Sequence, residues 1–286
     1  MAEGSPRATQ APKLPLHQAL LLGLVQGPTE VLPVSSSAHI ALLPRLVGWP
    51  HAEEDAELRN SLEVALHAGT AAALMLAQRG ELRQALREID GKALTSAALA
   101  LAPPALVGYL MEQRLERRPS GPRALAGGLA VGAVAMAWAD ARSESRSRTD
   151  FGPRDGLALG LAQALALLPG VSRNGATLTA ARARGFARED AQALSWRAGL
   201  PVIAGAAGLK VFRLSRRRKT LAFGPRVAQC GTPGAAPALS VGAGAAFLST
   251  LACAPLIRAG RRARVLWPFA LYRVGLALAV ASSGSA

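Results

Sequence analysis

Long stretches without a charged residue are the feature that most limits what this chain can fold into. Residues 93–111 and 231–257 carry no charge, residues 124–139 are equally free of it, and residues 265–286 contain only Arg273. A helix that crosses the hydrocarbon core of a bilayer needs about 20 apolar residues. Helices of a soluble bundle would show a polar face every 3.6 residues, which these stretches lack. We therefore predict an all-α, polytopic membrane protein.

The charge is strongly positive, with 33 Lys and Arg against 18 Asp and Glu, a formal net charge of +15. In a soluble protein this excess would suggest a nucleic-acid partner. Here the basic residues cluster between the apolar runs, in "EQRLERRPSGPR", "ARSESRSR", "RLSRRRK" and "RAGRRAR". We expect solvated loops that face the headgroups of membrane lipids, and no nucleic acid. Basic clusters on both sides of the spans leave the orientation open.

Neither the two cysteines nor the N-terminal residues are predicted to form a structural element. We expect no disulfide framework from Cys230 and Cys253. Residues 1–13 are polar and lack the apolar core of a removable signal peptide, so we expect a disordered tail.

The two halves of the chain resemble each other. "GLVQ" at 23–26 matches "GLAQ" at 160–163, and "PVSS" at 33–36 matches "PGVS" at 169–172. "HAG" at 67–69 likewise matches "RAG" at 197–199. Three matches in the same order indicate an internal repeat.

Each half begins with an apolar segment, 14–47 or 152–184, that polar residues, Pro and Gly interrupt. We interpret each segment as a re-entrant helical hairpin that enters and leaves on the same face. Three transmembrane helices follow in each repeat, near 62–77, 93–112 and 122–140, and near 191–212, 233–257 and 265–284. An odd number of crossings inverts the second repeat (152–286) relative to the first (14–140). Such inverted repeats hold the functional site near the midplane, between the two breaks.

Polar side chains at the two hairpin tips form the candidate site. Ser36 and His39 share a helix face, and a hydroxyl beside an imidazole is the minimal activated nucleophile. Arg173 offers a fork that suits phosphate oxygens, and helix N-termini bind phosphate as well. The pattern predicts attack on a phosphorus atom at membrane depth. The candidates are Gln26, Glu30, Ser35, Ser36, Ser37 and His39 in the first tip, and Ser172, Arg173, Asn174 and Thr177 in the second.

Structural roles are open for several of these polar residues. Ser35 and Ser37 are more typical of helix caps than of catalysts, and Asn174 and Thr177 also suit the cap of a half-helix. Arg273 either extends its charge to the membrane surface or pairs with a carboxylate. We interpret Glu63, His67 and Arg197 as residues that form structural pairs at the midplane.

The tip sequences "QGPTEVLPVSSSAH" and "PGVSRNGAT" resemble the two signature motifs of the undecaprenyl-diphosphatase family, the bacitracin-resistance phosphatases. "LEVALHAGT", "DGLALGLAQALALLPG", "LPVIAGA" and "YRV" match further, so the resemblance runs from about residue 14 to about residue 280. It implies hydrolysis of undecaprenyl diphosphate to the monophosphate carrier used in cell-wall synthesis. It also implies a multi-pass protein of the bacterial inner (cytoplasmic) membrane.

The resemblance assigns catalytic roles to Glu30, Ser36, His39 and Arg173, and places Gln26 where the family has an acid or Gln. Ser36 is the expected nucleophile, and His39 takes its proton or protonates the leaving phosphate. Glu30 would orient His39 or a bound cation. Attack by His39 itself or by water stays open. The chain departs from the family pattern at three positions. It has Val31 where the family usually has Phe, Ala38 where it usually has Gly, and Asn174 where it usually has Ser.

The sequence pattern gives weaker signals for a bound metal ion and for an oligomer than for the catalytic residues. The four histidines show no ligand spacing, but a diphosphate often arrives with Mg²⁺ or Ca²⁺, which would contact Glu30. A bound Mg²⁺ or Ca²⁺ and a homodimer are therefore open predictions.

The alternative function is an inverted-repeat transporter of lipid or anion, which does not need the set of Ser36, His39, Glu30 and Arg173. The type-2 phosphatidic-acid phosphatases are excluded, because Thr179 stands where their second motif has a histidine.

Overall fold

The computed structural model describes residues 14–49, 56–117, 121–221, 235–261 and 265–283, and these fold almost entirely into α-helices. Gly91–Met111, Pro122–Asp140 and Ala235–Ile257 are long and apolar enough to cross a membrane. The prediction of an all-α membrane protein is confirmed at this level. The helices are α1 (Leu16–Val31), α2 (Ser36–Leu46), α3 (Ala56–Ala77), α4 (Arg79–Arg87), α5 (Gly91–Arg117), α6 (Pro122–Asp140), α7 (Pro153–Leu165), α8 (Arg173–Ala183), α9 (Arg188–Leu221), α10 (Ala235–Arg261) and α11 (Trp267–Ser283).

Polarity is distributed as in a protein surrounded by lipid. Tyr109, Val131 and Leu278 expose 74%, 69% and 67% of their surface, whereas Gln26 and Arg273 expose 0% and 1%. Large apolar side chains are thus exposed on the outside, while several polar ones are buried within. Ionisable groups inside a membrane protein typically face the bundle interior, where they find partners.

The first interrupted segment forms two helices joined by residues 32–35. Helix α1 ends at Val31, and Leu32 is extended because the following Pro33 disfavours helical backbone there. Helix α2 then begins at Ser36. The predicted break in this segment is confirmed.

The second interrupted segment is built in the same way. Helix α7 begins at Pro153, and the Asp155 carboxylate accepts a hydrogen bond from the Gly152 amide at 3.0 Å. After the helix ends, Gly170 has φ of +80° and lies so close to the Leu125 carbonyl that a Cβ would clash. The turn therefore requires glycine. Helix α8 follows, and the Ser172 side chain caps it by accepting from the Gly175 amide at 3.1 Å.

The contacts made by the first half of the chain recur in the second half. In the repeat predicted from the sequence, α1, α3 and α5 correspond to α7, α9 and α10. Helix α1 packs on α10 as α7 packs on α5, and α1 contacts α3 as α7 contacts α9. Helix α6 packs against α11, and α3 against α9. The two turns meet inside this arrangement, where the Asn174 side chain at the start of α8 donates to the Val31 carbonyl at the end of α1.

Several helix boundaries differ from the prediction. Helix α3 begins at Ala56 rather than near residue 62, and α9 continues to Leu221 rather than ending near residue 212. The end of α9 contains "RLSRRRK", which we predicted as a loop although Arg and Lys are good helix formers. Helix α4 was not predicted, because it is too short and too polar to span a membrane. The tail 1–13 and Cys230 lie outside the described residues.

Part of the basic cluster at 141–148 serves internal ion pairs rather than lipid contact. Arg146 donates to both oxygens of Asp155 at 2.8 Å, and Arg184 donates to the same carboxylate at 2.7 Å. The hydrogen bonds to Asp155 raise the pKa of Arg146 above its ordinary value. Arg188 pairs in the same way with Asp140 at 2.7 Å. These pairs tie together the ends of α6, α7, α8 and α9.

Candidate active site

Glu30, in the last turn of α1, is the centre of the candidate site and is buried. Its Oε2 accepts a hydrogen bond from the Ser36 hydroxyl at 2.6 Å. Its Oε1 accepts one from Arg173 Nη2 at 3.1 Å. Gln26, one helical turn earlier, lies with Nε2 3.4 Å from the same carboxylate. The structure thus brings together the acid and serine of the first turn and the arginine of the second.

His39 is oriented differently from our expectation. Its Nδ1 lies 2.7 Å from the Ser35 carbonyl, which can only accept, so this nitrogen carries the proton. Its Nε2 lies 2.6 Å from the Tyr272 hydroxyl, which can donate to this nitrogen when it carries no proton. The Ser36 hydroxyl turns instead toward Glu30. In this structure the acceptor of the serine proton is therefore Glu30, and the imidazole is oriented by Ser35 and Tyr272.

Tyr272 also packs on the imidazole. The two rings stack with centroids 5.7 Å apart and planes 5° from parallel. Sequence reasoning missed Tyr272 because the residue lies 233 positions from His39. The matching "YRV" segment was its only signal.

Arg173 retains donors for a ligand. Its guanidinium lies 5.2 Å from the centroid of the Trp196 ring, a cation–π arrangement. Its Nη1 packs on Gly199, where any Cβ would clash. Among the residues that the structure describes, its buried Nε and Nη1 have no hydrogen-bond partner. A guanidinium with free N–H groups is suited to bind phosphate oxygens. Trp196 and Gly199 were also missed, although "RAG" in the repeat marked their position.

Ser35 does not cap α2 with its side chain, so the cap interpretation is wrong for this residue. Its hydroxyl lies 3.2 Å from that of Ser37 instead. Its φ of +75° is in the left-handed region, which is uncommon for a residue other than glycine. Strained backbone of this kind is typical of functional sites. Here it directs the Ser35 carbonyl at His39. A substrate contact for Ser35 or Ser37 stays a prediction.

The remaining polar residues of the second turn have protein partners. Ser172 caps α8, as expected for a serine at this position. Asn174 accepts a hydrogen bond from Ser195 at 2.8 Å, and the Ser195 hydroxyl lies 2.5 Å from that of Thr177. These contacts hold α8 against α9. The expected substrate contacts of Ser172, Asn174 and Thr177 stay predictions.

Arg273 contradicts both of our expectations for it. The residue is 1% exposed, so its charge does not reach the surface. Within the part of the chain that the structure describes, its hydrogen-bond partners are backbone carbonyls and none is a carboxylate. Nη1 lies 3.5 Å from the Pro33 oxygen, and Nη2 lies 3.3 Å from the oxygens of Gly128 and Gly170. Arg273 therefore joins the two turns and holds a positive charge beside them.

The pairing proposed for Glu63, His67 and Arg197 is also different. His67 Nδ1 lies 2.8 Å from the Glu63 carbonyl rather than its carboxylate. Arg197 pairs with Glu88 at 3.2 Å, near the surface.

A metal site is not formed by the protein alone. Within the described ranges, no group of three or more His, Cys, Asp or Glu side chains is arranged to hold a metal ion. Both oxygens of Glu30 accept hydrogen bonds from the protein. Mg²⁺ is often bound by one or two carboxylates together with substrate phosphates. Mg²⁺ or Ca²⁺ therefore stays a prediction, and the chemistry below uses only the side chains.

The described helices include three that are long enough to span a membrane. At the two helix breaks, a buried carboxylate contacts a partly buried serine and a partly buried arginine. These features are those of a helical membrane protein with a polar site inside it. The family model described as bacitracin resistance protein BacA matches residues 19–279. The chain belongs to this family, as its sequence motifs predict.

Named relatives agree with the family model. The chain is 42% identical over 215 residues to an undecaprenyl-diphosphatase of Geobacter metallireducens, covering 71% of this chain and 77% of the relative. It is 35% identical to one of Geobacter sulfurreducens, covering 91% and 94% of the two chains. It is 37% identical to one of Geotalea daltonii, covering 91% and 95%.

Proposed function

We propose that this chain is an undecaprenyl-diphosphate phosphatase of the bacterial inner membrane. It hydrolyses the lipid diphosphate to undecaprenyl phosphate and inorganic phosphate, which recycles the cell-wall lipid carrier. The observation that carries the proposal is the contact of the Ser36 hydroxyl with Glu30, which in turn contacts Arg173. The names of relatives that match nearly the whole chain support it. A homodimer stays a prediction that this reaction does not need.

The geometry suggests a two-step reaction. Arg173 binds the terminal phosphate, Ser36 Oγ attacks its phosphorus, and Glu30 takes the hydroxyl proton. The bond from phosphorus to the bridging oxygen breaks, and undecaprenyl phosphate leaves. Water then attacks the phosphoserine, and the bond from phosphorus to Ser36 Oγ breaks while Glu30 returns its proton to Oγ. This step releases inorganic phosphate and restores the serine. His39 is suited to take the proton of this water at Nε2, because its Nδ1 proton is held by Ser35. This step requires the Tyr272 hydroxyl, which contacts Nε2 in this structure, to give up its place to the water.

Product analysis tests the proposal against a transporter. The purified chain is incubated with undecaprenyl diphosphate, and both products are measured. We expect one inorganic phosphate for each undecaprenyl phosphate formed. Movement of the lipid across a vesicle membrane with no release of phosphate would favour the transporter and contradict the proposal.

The finer architecture, two inverted repeats each with a re-entrant hairpin and three crossings, belongs to the same proposal. Two observations support it: equivalent helices pack reciprocally, and Arg148 lies 3.9 Å from Glu81. The contact between Arg148 and Glu81 lies between α4 and the loop that precedes the second hairpin. Helix α4 follows α3 of the first repeat, so the ends of these segments are close together.

Cysteine labelling tests this topology. In a chain without Cys230 and Cys253, single cysteines at Gln84 and Ser143 should label from one side of the membrane. Cysteines at Pro119 and Thr220 should label from the other side. Thr250→Cys, which is fully buried, is the unlabelled control. Labelling of all four loops from one side would exclude the inverted repeat.

Tyr272→Phe should lower kcat for phosphate release by about 2- to 10-fold, with KM little changed, because one hydrogen bond that orients His39 is lost. The stacked ring is kept, so the change isolates the hydroxyl. Tyr109→Phe is the matched control, since Tyr109 is the second tyrosine and 74% exposed. Equal kcat values for Tyr272→Phe and the wild-type chain would show that the hydroxyl does not orient the imidazole.

A further inference from the structure

None of the nine residues of α4 is buried. One residue separates α4 from the end of α3, and residues 88–90 separate it from α5, whose Gly91–Met111 stretch is apolar enough to span a membrane. A helix so close to the start of a span is expected at the level of the lipid headgroups. Its sequence is therefore expected to suit an interface rather than bulk water or the bilayer core.

Two faces of α4 have different chemistry. Arg79, Arg83 and Arg87 are four residues apart, so they form one stripe, which we call the arginine face. Leu82 and Leu86 form a neighbouring stripe, which we call the leucine face. They are 37% and 62% exposed. Basic residues beside an exposed apolar stripe are typical of helices that lie in a membrane surface.

The positive charge of the arginine face is not compensated within the described part of the chain. None of its three guanidinium groups forms a hydrogen bond or ion pair there. The acids of this region already have partners, since Glu81 lies 3.9 Å from Arg148 and Glu88 lies 3.2 Å from Arg197.

Both carboxylate oxygens of Glu88 are already engaged by side chains outside the arginine face. One accepts a hydrogen bond from the Gln84 amide at 2.7 Å, and the other accepts one from Arg197 at 3.2 Å. The arginine face is therefore free for an external anion.

We propose that α4 is an interfacial helix whose arginine face binds the phosphates of anionic phospholipids in the surrounding bilayer. The leucine face would insert beside it among the upper acyl chains. The bilayer fits better than a protein partner, because the helix adjoins a membrane span and its uncompensated charge is positive. This site lies on the surface and is independent of the proposed hydrolysis.

A depth and headgroup measurement tests the proposal. The chain without Cys230 and Cys253 receives Leu86→Cys with an NBD label and is placed in phosphatidylcholine nanodiscs. A small, equal fraction of 5-doxyl lipid is added with either a phosphatidylglycerol or a phosphatidylcholine headgroup. We expect quenching by both, with local enrichment of the phosphatidylglycerol form by about five-fold, the factor for one arginine near an anionic surface. A label at Gln84→Cys, on the polar side of α4, should be quenched less.

Charge variants test whether the preference for phosphatidylglycerol depends on the arginine face or on positive charge elsewhere on the protein. Combined Arg79→Gln, Arg83→Gln and Arg87→Gln substitutions should abolish the preference for phosphatidylglycerol, whereas Arg154→Gln, an exposed arginine of α7, should keep it. High salt should also weaken the preference.

Equal quenching by the two headgroups in the unsubstituted arginine background would overturn the proposal. Absence of quenching by both would overturn it as well, because Leu86 would then lie either in water or under a protein cover such as a second copy of the chain. Both outcomes come from the chain with its native arginines, so a folding defect in the triple variant leaves the test intact.

Discussion

Ser36→Ala should reduce phosphate release from undecaprenyl diphosphate by at least about 10⁴-fold, to the background of the assay, because it removes the attacking atom. Folding and binding of the lipid should persist, since the Ser36 hydroxyl contacts only the Glu30 carboxylate among the hydrogen bonds of the described residues. The measurement is kcat and KM of the purified variant, with lipid binding followed separately.

Ser96→Ala is the matched control. Ser96 is a buried serine of α5 whose hydroxyl donates to the Lys92 carbonyl, outside the site, and its loss should leave turnover near the wild-type value. A loss of only about 10- to 10³-fold in Ser36→Ala would indicate a hydrogen-bond donor rather than the nucleophile. His39 or water would then be the attacking group.

Arg173→Lys should lower kcat/KM by about 10²-fold or more, although the charge is kept. The substitution loses the planar fork that binds two phosphate oxygens, and it weakens the contact with the Trp196 ring. Arg146→Lys, in an ion pair with Asp155 outside the site, is the control. A value of kcat/KM within about three-fold of the wild-type chain would remove the fork from the mechanism, since one such donor is usually worth far more.

The elements that local chemistry determines were predicted well. Pro33 and Gly170 mark the two turns, and the repeat placed Glu30 and Arg173 in opposing halves of the site, where the structure shows their contact. Proline geometry and the need for glycine at positive φ act over a few residues, so these features can be read directly from the sequence.

The contacts inside the site depend on tertiary geometry that the sequence pattern does not contain. Helical spacing puts Ser36 and His39 on one face, but it does not specify the side-chain rotamers or the left-handed backbone of Ser35. Those features turn the serine to Glu30 and the imidazole to Tyr272. Arg273 was predicted from its charge alone, whereas its partners are backbone carbonyls, which a sequence pattern does not reveal.

Trapping the covalent intermediate tests most directly whether the two turns form one centre that attacks through Ser36. Undecaprenyl diphosphate labelled in its terminal phosphate is mixed with the chain and quenched within milliseconds, half of each sample in acid and half in base. The labelled residue is then identified by mass spectrometry. His39→Ala is used in parallel, since loss of the base for the second step should let the intermediate accumulate. We expect acid-stable phosphate on Ser36 in both proteins, and more of it in the variant. Acid-labile, base-stable phosphate on His39 in the wild-type chain, or phosphate release in a single turnover with no labelled protein in either sample, would contradict this mechanism.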